Sequence, residues 1–205
     1  MKYTLLENGI DSLKATHNNI EKMKELQEGS NHCLKDSILS LNHAIEILLK
    51  LILKDHNEYL VFSDLDKYMT AKAKMIQQGK TNIFEVNENL KTITLHECIN
   101  RVQFLCDIPI SDQYKTVISF MNKKRNEITH YEINLSAEEL KELIDQLELC
   151  YELSIDFFKQ HIEDLEVLLE DARFEMTTDD YEEAMSDMYA DMAYEQYRED
   201  QLMYR

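Results

Sequence analysis

Residues that break or bend a chain are scarce here. Among 205 residues there are three glycines (Gly9, Gly29, Gly79), one proline (Pro109) and no tryptophan. A sheet-rich domain needs many turns, and glycine and proline are the residues that form turns without strain. Their scarcity argues for long helices with few interruptions. The four cysteines, Cys33, Cys98, Cys106 and Cys150, are scattered and form no Cys-x-x-Cys pair. No leader pattern precedes them, so they are expected to be reduced thiols in a cytoplasmic protein, mostly filling the core. The longest apolar run, "AIEILLKLIL" (44–53), carries a Glu and a Lys and is too short to cross a bilayer. There is no glycine-rich phosphate loop and no Ser or Cys nucleophile motif.

Acid is abundant but unevenly placed. The formal net charge is -18, of which residues 162–205 carry -12 and residues 1–161 carry -6. Such a balance argues against nonspecific binding to nucleic acid while leaving room for a local basic site. Apolar residues recur at helical spacing through most of the chain. Residues 10–28 carry one such stripe. A broader one, from Leu34 to Ile52, predicts a long, well-buried helix over 31–56, with Gly29-Ser30 as the joint. Residues 57–70 read as a break with a short segment, and the polar stretch 71–90 reads as a mobile connection with weak helix content. Thr94 with Glu97, and Ser136 with Glu139, have the spacing of capping boxes and predict helix starts. The second of these helices is expected to run unbroken to about 172. The fold class is all-α, an antiparallel bundle of four to five main helices over residues 1–172, with an acidic C-terminal extension over 173–205.

Against that acidity, residues 123–132 read "KKRNEITHYE". Asn126 and His130 are four apart and share a helix face with Lys123 and Ser119. Val117, Ile118, Met121 and Ile128 form the apolar stripe of the same helix. His130 is therefore expected to point away from the core. Histidine exchanges a proton near neutral pH, and a guanidinium fork suits the extra charge that builds on a phosphate under attack. RNA brings its own nucleophile, the 2′-hydroxyl. Arg125 and His130 are thus candidates for phosphate clamp and general acid/base. Asn126 would be the group that orients the ring or meets the substrate, and Lys123 and Lys124 would hold neighbouring phosphates. The equally open reading is a solvated basic face.

"RNEITH" (125–130) resembles the signature of HEPN domains: an Arg, four to six residues beginning with a polar one, then a His. "LNHAIEILLKLIL" (41–53) resembles their long second helix. The resemblance covers about residues 10–172. It implies a helical bundle that usually dimerises, with Arg and His of two protomers meeting in one cleft. In many members this is a metal-independent ribonuclease that acts as a toxin or in antiviral defence. On that basis Arg125 and His130 match the catalytic pair, and Asn126 the polar residue after the Arg. Glu46 matches an acidic residue of the second helix, although an ion pair with Lys50 is an equal reading of it. The expected partners are RNA, a second copy of the chain, and an antitoxin or defence protein. No cofactor, DNA or membrane is expected. Some toxins of this family carry a Tyr two residues after the His as a site of adenylylation. Here Tyr131 follows His130 at once and Glu132 takes the second place, so the resemblance does not extend to that control. The alternative function is a non-catalytic HEPN module that binds a partner protein or nucleotide.

Two further patterns are weighed. Glu127-x-x-His130 has the spacing of one di-iron ligand pair, but no second pair exists. In the tail, Tyr181, Met185, Met188 and Met192 fall on one stripe and predict a helix starting at Asp179, with Glu182 as box partner. A disordered tail, a docking helix and a self-inhibitory RNA mimic remain open for it.

Overall fold

The structure is a computed structural model that describes residues 3–203, without the side chains of 195–197 and 199–203. The first two and last two positions of the expected domain and tail lie outside the described residues. The chain divides after Ala172 into two compact units. All regular structure among the described residues is helical, apart from one isolated bridge between Phe62 and Thr92.

In the first unit, α1 (Leu5–Glu25) begins five residues before its apolar stripe, because Thr4 and Glu7 form a capping box there. Gly29, at φ 80°, turns the chain into α2 (Asn31–His56). α2 is the centre of the unit. Its buried residues run from Cys33 to Leu53 and face more than one neighbour, since α1, α4, α5 and α6 all pack against it. The α1–α2 contact is the most extensive. It depends on Gly9, where an added Cβ would stand 2.3 Å from Leu48 Cδ2, and Leu48 is fully buried.

The stretch expected to be mobile is ordered. α3 (Leu65–Gln77) starts on an Asp64 cap and stops at Gly79, and Asn82 caps a short 3-10 turn over Ile83–Glu85. Polar sequence hid four anchors. Phe62 stacks on Tyr68 at 4.9 Å between ring centroids. Ser63 N donates to Lys91 O and Ile93 N to Val61 O, both at 3.0 Å. The Arg101 guanidinium donates to the carbonyls of Leu60 and Phe62 at 2.8 and 2.9 Å. Tyr68 and Lys72 both donate to the Glu58 carboxylate.

α4 (Leu95–Leu105) and α6 (Ala137–Lys159) begin on the expected Thr94/Glu97 and Ser136/Glu139 boxes. Between them, α5 (Asp112–His130) starts on Ser111. α6 does not run to 172. The chain reverses through Asp164, at φ 54°, into α7 (Leu165–Asp171). A straight continuation would carry Ile162 and Leu165 off the end of the bundle; the bend buries both, and α7 packs on α1. In the second unit α8 (Thr178–Met203) starts on Thr177, not on Asp179. Thr177 and Asp180 exchange the reciprocal bonds of the box, because aspartate at that spacing reaches the cap as glutamate would.

Two substitutions test this packing. Gly9→Ala adds one methyl against a side chain with no room to move, and is expected to cost about 1–3 kcal/mol in urea unfolding. At Gly79, where a Cβ meets nothing and only the φ of 64° resists it, Ala is expected to cost about 1 kcal/mol. The second test concerns Glu58. Burial pulls its carboxyl up, but the bonds from Lys72 and Tyr68 and the Lys72 charge outweigh it, so the group sits below its ordinary value. A carboxyl held low in the folded state adds stability above its unfolded value, and loses it as pH falls through the folded one. Glu58→Gln should therefore melt earlier than the parent at neutral pH, and the two melting temperatures should converge on acidification.

Candidate functional site

The last turns of α5 carry the sequence-predicted residues other than Glu46 and the adjoining Tyr131. Tyr114, Val117, Ile118 and Met121 bury the first half of the helix, and Ile128 is half-buried. Beyond Met121 the outward positions Lys123, Asn126, Thr129 and His130 are exposed. The Thr129 hydroxyl donates to Arg125 O at 2.7 Å, and Tyr131 N closes the helix on Glu127 O.

Arg125 is half-buried, and its Nη1 donates to Asn126 Oδ1 at 3.0 Å. The Asn126 carbonyl thus orients the guanidinium and not the His130 ring. His130 and Lys123 make no hydrogen bond or ion pair within the described residues. Lys124 is different. Its ammonium meets Glu127 at 3.0 Å and lies 6.0 Å from the centre of the Phe120 ring, so its charge is already paired. Glu46 is also engaged elsewhere: it accepts from the buried Lys50 at 2.6 Å, and Lys50 donates as well to Thr92 Oγ1 at 3.1 Å. No bond joins Glu46 to the α5 group among the described residues.

Sequence reasoning names Tyr131 as a supporting or substrate-binding residue but passes over the rest of the connection, 132–135. Tyr131, 84% exposed, stands at the mouth of a cleft of about 450 Å³. Its walls come from α2, α5, α6 and the 131–135 connection. The signal was present in Ile133 and Leu135, two apolar residues in a segment too short to be a helix of its own.

Other chemistry finds little support in the side chains. Burial pushes the Cys98 and Cys150 thiols up to about 12, so neither is a thiolate near neutral pH. Among the described residues no group of three His, Cys, Asp or Glu side chains is placed to hold a metal ion. Among the described residues no helix is long and apolar enough to cross a membrane. Compared with known proteins, the chain matches no family model, no curated protein and no solved structure.

The two readings of Glu46 separate experimentally. Its loss leaves a buried ammonium short of its counter-charge, which costs stability rather than chemistry. Glu46→Gln is expected to lower stability by about 1–3 kcal/mol and to leave any RNA cleavage, per folded molecule, at the parent level. A fall in cleavage with unchanged melting would place Glu46 in the site.

Proposed function

We propose that this chain is a HEPN-type, metal-independent endoribonuclease of the toxin or antiviral-defence kind, working as a homodimer. One observation carries the reading: the end of α5 presents Arg125, oriented by Asn126, and an exposed, unpartnered His130 in the order the resemblance requires. His130 takes the proton of a 2′-hydroxyl as its oxygen attacks the adjacent phosphorus. The new P–O2′ bond forms, the P–O5′ bond breaks, and the proton is returned to the leaving 5′-oxygen. The products are a 2′,3′-cyclic phosphate and a 5′-hydroxyl. The Arg125 fork stabilises the charge that collects on the non-bridging oxygens. DNA, lacking the nucleophile, is not a substrate.

Five positions on a helix turn by about 140° and rise about 7.5 Å. Arg125 and His130 of one protomer therefore face different directions, and a second copy is needed for them to meet across one phosphate. Lys123 is left to hold a neighbouring phosphate, because Lys124 is paired with Glu127. The second reading, a non-catalytic HEPN module that binds a partner, draws on the acidic α8 unit, whose exposed Tyr181, Met188, Tyr189 and Met192 suit protein docking.

Expression of the wild type is expected to arrest growth and fragment cellular RNA, in fragments ending in cyclic phosphate. Purified protein should cleave RNA in EDTA. His130→Ala and Arg125→Ala should each reduce cleavage by at least about 100-fold without changing the thermal melt. Harmless expression and intact RNA, for the full chain and for a chain lacking 173–205, would favour the binding module instead.

A further inference from the structure

The cleft that Tyr131 lines, one residue beyond His130 in sequence, has no part in the proton transfers above. Its volume, about 450 Å³, is within the range of small-ligand sites. Ile38 and Leu143 are fully buried and form its apolar interior, and Ile128 joins them from the turn that carries His130. The exposed Tyr131 ring at the mouth offers a face for stacking.

The wall formed by the 131–135 connection is chemically different. Ile133 and Leu135 line the cleft, yet the backbone N–H and C=O groups of 132–135 make no hydrogen bond within the described residues. An apolar slot walled in part by a segment with unbonded donors and acceptors suits a flat heterocycle, whose faces want apolar cover and whose edges want hydrogen bonds. An acyl chain would desolvate those backbone groups without replacing their bonds. Lys35 stands at the rim with a side chain more than half exposed; its nearest acid, Asp36, is 3.7 Å away and equally exposed. A surface pair that loose leaves the ammonium free to meet a phosphate.

We infer that the cleft holds one unstacked RNA base, adjacent to the phosphate cut at His130. Tyr131 stacks on the base, the 132–135 backbone reads its edge, and Lys35 meets the next phosphate. The identity of the ligand rests on the ribonuclease reading; the cleft's preference for a base is tested without it.

Fluorescently labelled oligomers of rA, rC, rG and rU are titrated into the full-length His130→Ala protein, which leaves them uncut. Unequal affinities are expected for the four. Adding Tyr131→Ala should weaken the preferred oligomer about ten-fold, as loss of one stacked base does, and should level the preference. Lys35→Ala should weaken all four alike. Both positions are exposed, and unchanged thermal melts establish that the variants fold. If all four bind equally, if Tyr131→Ala changes nothing, or if no RNA binds while oleate does, the inference is overturned. The two claims fail separately. Base preference that depends on Tyr131, in a protein whose wild type never cleaves, keeps the cleft and removes the enzyme. Cleavage that Tyr131→Ala leaves unchanged in rate and base preference keeps the enzyme and removes the cleft.

Discussion

Gly9 brings the backbone of α1 against Leu48 so closely that no side chain fits between them. Everything else in the first unit is arranged around the helix on the far side of that contact. Because α1 lies so near, α2 is covered along one side with little void. Its remaining apolar positions are then free to serve α4, α5 and α6. A helix buried on several sides carries few charges, and the one lysine it does bury, Lys50, is met by Glu46 from the preceding turn and by Thr92. Removing water from an ammonium is costly unless its donors are used. The Glu46 carboxylate is thus a requirement of the packing.

Two polar links decide where the candidate site ends up. Asn42, buried in α2, donates to Ile38 O and to Met121 O of α5, at 2.8 and 3.3 Å. Tyr114, at the start of α5, donates to Ser154 Oγ at 2.9 Å, and Ser154 donates in turn to Cys150 O of α6. Hydrogen bonds inside a dry core tolerate little displacement, since a buried group left unpaired costs about 1–3 kcal/mol. These links hold α5 from its first turn to Met121. Of the nine residues after Met121 only Ile128 is an apolar residue packed on the core, and Lys123, Asn126 and His130 reach solvent.

The elements that could be read in advance were those with a local cause. The Thr94/Glu97 and Ser136/Glu139 boxes and the Leu34-to-Ile52 stripe mark α4, α6 and α2, because capping and amphipathic burial are settled within a few residues. The outward face of α5 was legible for the same reason. What escaped was decided at long range. The chain entering α3 is held by Arg101, which donates to the carbonyls of Leu60 and Phe62, and α3 by the Phe62–Tyr68 stack. α6 ends at Lys159 because Ile162 and Leu165 must turn back to α1, and periodicity alone cannot register that bend. In the site, the ion pairs that withdraw Lys124 and Glu46 from solvent chemistry were written at helical spacings of three and four, and Glu46–Lys50 was open to that reading. The cleft was not, since its walls come from four separate segments.

The charge pattern bears on how such a site can meet a polyanion. At a net charge of -18 the chain repels nucleic acid at distance, and residues 162–205 carry -12 of that charge. Screening confines this repulsion to roughly 8–10 Å, so it opposes encounter more than contact. Several lysines that would otherwise offset it, Lys50, Lys72 and Lys124, are paired with glutamates. What remains at the end of α5 is a small set, Arg125 and Lys123 beside an exposed histidine. A surface of this kind cannot gather RNA by long-range attraction. Affinity has to come from groups that act only on contact: a guanidinium held by Asn126, a stacked ring, and backbone edges in a cleft. Contacts of that sort reward one local geometry over another. On the ribonuclease reading proposed above, the enzyme would therefore discriminate by the shape and base at the cut, and leave most RNA alone.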